Sequence, residues 1–322
     1  MKYNQIKGLN KPVSRLIQGT VYFTDDNRDE AFTLFDAAFE GGCNTFDTAH
    51  GYGGGACERV LGQWIQERNI RDEIVILGKG AHPYDNRQRV TPEDITSDIH
   101  ESLERLRTDY IDLYVLHRDN PSKAVEPIMD CLYEHHQAGR IGAIGGSNWS
   151  YERIKQANDY TTQNDLLPFT VSSPQFSLAE MVKPAWDDCI SVGHDKEAQA
   201  WYQEQDMALL TWSSLAGGFM TGRYTRDNLS EFDDYFSGVT INAYAYEENF
   251  KRLDRAQELA QEKNVTVPQL ALAYVLNQPL NIFALIGSMT PEQFNDNASA
   301  LDINLSDNEL AWLNLEKDSL SD

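Results

Sequence analysis

Eight times along this chain a short apolar run is followed by a longer amphipathic stretch, and that alternation limits the fold more than any other feature. "VSRLIQGT" (13–20) precedes "RDEAFTLFDAAFEGG", and "CNTFDT" precedes "ACERVLGQWIQER". "EIVILGKG" (73–80) leads into "TPEDITSDIHESLERLR", where Thr91, Pro92 and Glu93 make a good helix start. "DYIDLYVLHRD" (109–119), "IGAIGGSN" (141–148) and "PFTVSSPQF" (168–176) are each followed by a helix-forming stretch, the last of them 178–205. "MALLTWSSLAGG" (207–218) precedes a glycine- and aromatic-rich loop and the helical "YEENFKRLDRAQELAQEK", and "NIFALIGSM" (281–289) precedes "TPEQFNDNASAL". Short strands joined by crossover helices pair in parallel, and eight such units close most simply into an α/β (β/α)8 TIM barrel. An open doubly wound sheet is the rival, weakened by the lack of a G-x-G-x-x-G turn after the first run. The 322 residues suit a single barrel domain over 1–322, with "LSDNELAWLNLEK" as a further helix capped by Ser306.

Fifty acidic against 27 basic residues give a net charge of −23. Such a surface repels phosphate backbones and anionic membranes, which argues against nucleic-acid or membrane partners. The four cysteines show no C-x-x-C spacing and read as reduced thiols. The first residues lack the apolar core of a signal peptide, and no run approaches a membrane span of about 18 apolar residues. A cytoplasmic protein is expected.

Barrel enzymes build their sites at the C-terminal ends of the strands, so the polar residues just past each apolar run are the ones to inspect. Asp47, Lys79, His117, Ser147, Asn148, Gln175 and Trp212 all stand there and converge on one mouth. A metal centre would call for several histidines and carboxylates, yet "QGTVYF" carries no H-x-H pair and His135 and His136 read as solvated helix residues, so no metal is expected. An acid–base site fits better. Tyr52 follows Asp47 by five positions, and a phenol near pKa ~10 is a weak acid until a neighbouring ammonium lowers it. Lys79 can supply that ammonium, Asp47 can hold the lysine, and His117 can hydrogen-bond a carbonyl oxygen. Each residue alone has an ordinary explanation as a turn, a buried ion pair or a core histidine. Their convergence at adjacent strand ends favours chemistry.

At these motifs the chain resembles the aldo-keto reductases. "FDTAHGYGGGACERVLG" looks like the family's D-T-A-x-x-Y-G stretch with its downstream Glu-x-x-Leu-Gly, and "ILGKG", "YVLHRDN", "GGSNWS" and "WSSLAGGFMTGRY" match later segments in order. The resemblance spans residues 10–315 and implies a (β/α)8 barrel that binds an extended nicotinamide cofactor and interconverts small-molecule carbonyls and alcohols. It implies Tyr52 as general acid, tuned by Lys79 and Asp47, with His117 orienting the carbonyl. Ser147, Asn148 and Gln175 then face the nicotinamide carboxamide and Trp212 stacks on its ring. Ser213, Leu215 and Gly217 contact the pyrophosphate, with Arg223 adding charge. Gly287, Ser288, Gln293 and Asn297 fall at the adenosine end. NADP(H), the family's usual cofactor, comes first and NAD(H) second. The chain departs from the NADP pattern, with Gly287 in place of Lys, Gln293 in place of Arg, and no Lys, Arg or His from Asn264 to Glu316. Reduced discrimination between the two cofactors follows, because arginine is the side chain best suited to a 2′-phosphate.

Tyr22, His50, Trp149 and the loop 219–246 are expected to line a pocket for a sugar, another hydroxylated carbonyl compound or a plain aldehyde. The polar segment from Lys183 to Tyr202 is expected to cover the mouth or to sit at a subunit interface. The rival to catalysis is a cofactor-sensing regulatory subunit that keeps the fold.

Overall fold

A computed structural model of the chain describes residues 1–84 and 87–320. Two short strands, β1 (Tyr3–Asn4) and β2 (Val13–Ser14), form an antiparallel hairpin. Strand and helix then alternate through β3 (Leu16–Gly19), α1 (Arg28–Glu40), β4 (Thr45–Asp47), α2 (Ala56–Arg68), β5 (Val75–Gly80), α3 (Pro92–Leu106), β6 (Ile111–Leu116) and α4 (Glu126–Gln137). They continue through β7 (Ile141–Ser147), α5 (Tyr151–Gln163), β8 (Phe169–Ser173), α6 (Lys196–Gln205) and β9 (Ala208–Thr211). Three helices, α7 (Tyr235–Tyr244), α8 (Glu247–Lys263) and α9 (Val267–Leu276), precede β10 (Ile282–Ile286), which is followed by α10 (Pro291–Ser299) and α11 (Asp307–Leu313). Strands β3 to β10 pair in parallel in chain order, and β10 returns to β3 to close the barrel. The fold is a (β/α)8 barrel.

Side chains alternate along each strand, and the two faces form two apolar layers. Ile17, Val75, Leu77, Leu113, Val115 and Phe283 pack inside the barrel, closed from below by Ile6, Leu9 and Val13 of the hairpin region. Leu16, Phe46, Ile76, Tyr114 and Leu209 point outward into the layer shared with the helices. This parity positions the site. Counting on in twos from the inner residues Leu77, Val115, Leu210 and Leu285 arrives at Lys79, His117, Trp212 and Gly287, and Asp47 stands two residues from Thr45, opposite in phase to the outward Phe46.

Several elements differ from expectation. The run 13–20 breaks at Arg15, its first half pairing with β1 and its second entering the barrel. The stretch 178–205 is helical only over Lys196–Gln205, although it contains many helix formers, because 189–192 pairs alongside Gln175 instead. The loop 219–246 contains α7, and α9 follows α8 before β10. α9 reads "VPQLALAYVL", apolar on nearly every face, so no amphipathic period announces it. His135 is buried rather than solvated, its Nε2 within 3.0 Å of the Thr96 hydroxyl. The terminal helix α11 begins at Ser306 with a capping box to Glu309. Among the described residues no helix is long and apolar enough to cross a membrane.

Helices α2 and α3 touch at Gly62, where a Cβ would stand 2.6 Å from the Leu106 backbone. Gly62→Ala should therefore cost about 1–3 kcal/mol in denaturant unfolding, and a neutral result would contradict the close contact. Burial lowers His135 and His194 from 6.5 to about 4. Between those values the unfolded chain binds more protons than the folded one, so these residues take stability away as pH falls through the window. The melting temperature should drop on acidification from 6.5 towards 4, and His135→Gln should shed part of that slope. An unchanged slope would refute its share.

Candidate active site

Lys79 is the centre of the site. Its ammonium is 3% exposed at the C-terminal end of β5 and pairs with the Asp47 carboxylate, itself 4% exposed at the end of β4. It also donates to the Thr48 carbonyl and to the Tyr52 hydroxyl, each at 3.2 Å. Asp47 lies in register with Leu77, two residues before Lys79, so strand pairing alone brings the two ends together. Past β4 the chain turns back, with His50 N–H donating to the Lys79 carbonyl at 2.8 Å and Tyr52 N–H to Ala49. Gly53, Gly54 and Gly55 all take positive φ, which lets this turn bend beside the tyrosine and start α2.

The electrostatics follow from burial. Burial alone would lower Lys79, but Asp47 and then Tyr52 outweigh it and raise the ammonium above its ordinary value. Burial also raises Tyr52, and Lys79 opposes this without reversing it. The sequence-based expectation of a net lowered phenol is thus corrected: desolvation of the phenolate outweighs the nearby ammonium, and Tyr52 holds its proton at neutral pH. His117, 8% exposed, is pushed well below its ordinary value by burial first and then by Lys79, Arg118 and His82. It is neutral, its ring lies edge-on to Tyr52 at 5.6 Å, and its Nδ1 has no partner among the described residues.

Around this group the strand-end loops are strained where close approach to a ligand would require it. Ala81, Asn148, Ser213 and Ala216 take positive φ without being glycine. Asn148 Nδ2 donates to Ser147 Oγ and to the His117 carbonyl, and its Oδ1 accepts from Ile190 N–H. Gln175 bonds to Ser177 and Ser191, so the segment 189–192 lies over these strand ends. Trp212 stands half-buried, its Nε1 without a partner among the described residues, with Trp186 at 6.2 Å. Gly217 and Gly218 are left-handed, and a Cβ at Gly218 would meet nothing within 4 Å. Leu215 lies at the start of this loop, half-buried. Arg223 lies over Phe232 at 4.8 Å in the same loop. Beyond β10, Asn297 donates to Ser288 and Gln293 Oε1 accepts from Met289 N–H, while Gly287 faces Tyr22. These left-handed loops leave open space at Gly218, and the Trp212 Nε1 donor is free among the described residues.

Two expected pocket residues stand elsewhere. The His50 ring turns to Glu101 at 3.1 Å and Asp98 at 3.5 Å on α3. Trp149 is 1% exposed beneath the mouth, its indole bonded to the Arg118 carbonyl and packed on Phe169, because the left-handed Asn148 ends the inward alternation. Tyr22 is at the rim, edge-on to Phe236, which meets Tyr235, and Tyr235 accepts from Trp186. Sequence reasoning missed His82, edge-on to His117 at 4.8 Å, and Arg118, buried at the end of β6. Only their position two residues beyond a strand end could have signalled them.

The sequence profile of the Aldo/keto reductase family matches residues 15–314. The chain belongs to that family. Among curated relatives, norsolorinic acid reductase of Emericella nidulans is 29% identical, covering 92% of this chain and 76% of the relative. An aldo-keto reductase of Bacillus subtilis is 28% identical over 91% of this chain and 86% of its own length. A probable voltage-gated potassium channel subunit beta of rice is 27% identical over 94% and 92%. As an aldo/keto reductase the protein is an oxidoreductase of the carbonyl-reducing type.

The Lys79–Asp47 pair makes a further prediction. Removing one partner strands a buried charge, so Asp47→Ala should destabilise by about 3–5 kcal/mol in denaturant unfolding. A loss under about 1 kcal/mol, the size of an exposed pair, would contradict the pairing described here.

Proposed function

We propose that the protein reduces an aldehyde or ketone reversibly with NAD(P)H, using Tyr52 as general acid. The observation that carries this reading is the buried Lys79 ammonium, held by Asp47 and donating to the Tyr52 oxygen. A nicotinamide cofactor supplies hydride when bound. Trp212, Ser147, Asn148 and Gln175 would hold its reactive end, Ser213, Leu215, Gly217 and Gly218 its middle, and Ser288 and Asn297 its adenosine end. The neutral His117 and the Tyr52 hydroxyl aim hydrogen bonds at a carbonyl oxygen and so polarise the adjacent carbon. Tyr52 then gives its proton to that oxygen, and the developing phenolate is stabilised by Lys79, whose charge Asp47 balances.

Tyr52→Phe should bind cofactor as the wild type does, judged by quenching of tryptophan fluorescence, yet lose carbonyl turnover about a hundred- to ten-thousandfold. Near-wild-type turnover would remove Tyr52 from its role.

Either NADP(H) or NAD(H) serves. The adenosine end has no basic side chain from Asn264 to Glu316, and Gln293 spends its carbonyl on Met289. Each missing charge-assisted hydrogen bond forgoes about 10- to 100-fold in discrimination. Catalytic efficiencies with NADPH and NADH should therefore differ by about a hundredfold at most, and a thousandfold preference for NADPH would overturn this expectation.

The exposed aromatic rim of Tyr22, Trp186, Tyr235 and Phe236 favours flat or hydroxylated carbonyl compounds. A second reading, a cofactor-sensing regulatory subunit, has the rice channel-subunit relative in its favour. Tight NAD(P)H binding without turnover of any carbonyl in a broad panel would select it.

A further inference from the structure

Three cations lie in or beside the mouth, and two of them are balanced. Lys79 is paired with Asp47, and Arg153 with Asp119 at 3.3 Å. The third, Arg118, is 8% exposed, and among the described residues no carboxylate lies within ion-pair distance of it. Its side chain makes one hydrogen bond there, from Nη1 to the His117 carbonyl at 2.8 Å. A guanidinium carries five N–H donors and a permanent charge, and no nitrogen of Arg118 is both sealed from solvent and unpartnered, so the head keeps donors free for an oxyanion. The neighbouring acid, Asp119, is turned to Arg153, and Arg153 is further fixed by the Lys123 carbonyl and Gln156. Asp187 and Asp188, which share with Arg118 the surroundings of Cys189, are exposed and form no ion pair with it.

The head of Arg118 is placed for a ligand. The carbonyl it binds belongs to His117, and that same carbonyl accepts from Asn148. Its charge reaches Tyr52, His117 and His82, three rings stacked edge to edge from the proton donor outward. His82 is held by its Nδ1 against the Pro83 carbonyl, 2.8 Å away, and stays neutral through burial, so it does not compete for an anion. The surface as a whole is strongly acidic. A cation next to the reacting group with no counter-charge among the described residues marks a position where that counter-charge arrives with the substrate.

We propose that Arg118 binds an oxyanion carried by the carbonyl substrate, a carboxylate or a phosphate ester, and thereby makes the enzyme selective for anionic aldehydes or ketones over their neutral counterparts. This rests on the carbonyl-reductase reading above and adds a substrate class to it. The guanidinium fork matches either group, and an anion held by Arg118 would anchor the far end of a substrate whose carbonyl lies at the Tyr52–His117 pair.

Matched pairs test it with the full-length protein and NADPH: para-carboxybenzaldehyde against para-formylbenzamide, and glyceraldehyde against its phosphate ester. The wild type should show kcat/KM about 10- to 100-fold higher for the anion of at least one pair, and which pair responds separates carboxylate from phosphate. In Arg118→Met that ratio should collapse towards one, and Arg118→Lys, which keeps the charge without the fork, should restore part of it. Equal efficiencies within both pairs, or a ratio unchanged in Arg118→Met, would overturn the proposal. If the wild type turns over no member of either pair, the broad carbonyl panel decides the reductase reading. Calorimetric titration with benzoate and with inorganic phosphate then decides for Arg118: binding lost in Arg118→Met supports the anion site, and no binding to the wild type refutes it. Should Arg118→Met fail to fold, the same ratio and titrations in Arg118→Lys decide.

Discussion

A buried ammonium cannot stand alone. Lys79 sits at the inner end of β5 with almost no access to water, and it is tolerable there only because Asp47 and Tyr52 reach it from the neighbouring strand and turn. Much of the architecture serves that contact. Parallel pairing of β4 with β5 sets Asp47 at the right height, and the turn beyond β4 swings Tyr52 back over the lysine. From outside the barrel Arg105 of α3 donates to the His50 carbonyl at 3.0 Å and pairs with Glu58 and Glu101. A side chain at Gly55 would collide with that guanidinium, so the glycine lets arginine clamp the turn that carries Tyr52. The clamp is outside and the chemistry inside, joined by a few residues of backbone.

The charge pattern has two scales. The chain as a whole is acidic, yet its mouth is lined by Lys79 and Arg118, with Asp47 as the one counter-charge in direct contact among the described residues. Long-range repulsion would therefore slow an anionic ligand while local pairing holds it, a contrast that salt should soften. The same surroundings keep His117 neutral, and they leave Tyr52 protonated, which suits the proton donor proposed for it.

What could be read from the sequence was whatever depends on parity. Strand alternation runs unbroken from the inner core to Lys79, His117 and Trp212, so the apolar runs foretold both the barrel and the inward parity of these positions. Alternation ends where the strands end, and there the expectations went astray. Asn148 is left-handed, which sends Trp149 into the core, and His50 lies beyond β4 in a turn governed by α3. The uniformly apolar α9 offered no period to detect. Desolvation is likewise invisible in a string of letters: the lysine beside Tyr52 was legible, whereas the larger effect of burial on the phenol was not. Arg118 went unremarked because an arginine after a histidine is ordinary until its burial, with no carboxylate partner among the described residues, is seen.

The most direct measurement of the central contact is the ionisation of Tyr52 itself, followed by carbon-13 resonance of ring-labelled tyrosine across alkaline pH in the wild type and in Lys79→Met, with Tyr52→Phe to assign the signal. If the ammonium donates to the phenol oxygen as described, its loss should shift the Tyr52 transition to higher pH than in the wild type. A transition unmoved by the substitution would mean that Lys79 and Tyr52 do not act as a unit, and the proton-delivery site built on them would fall.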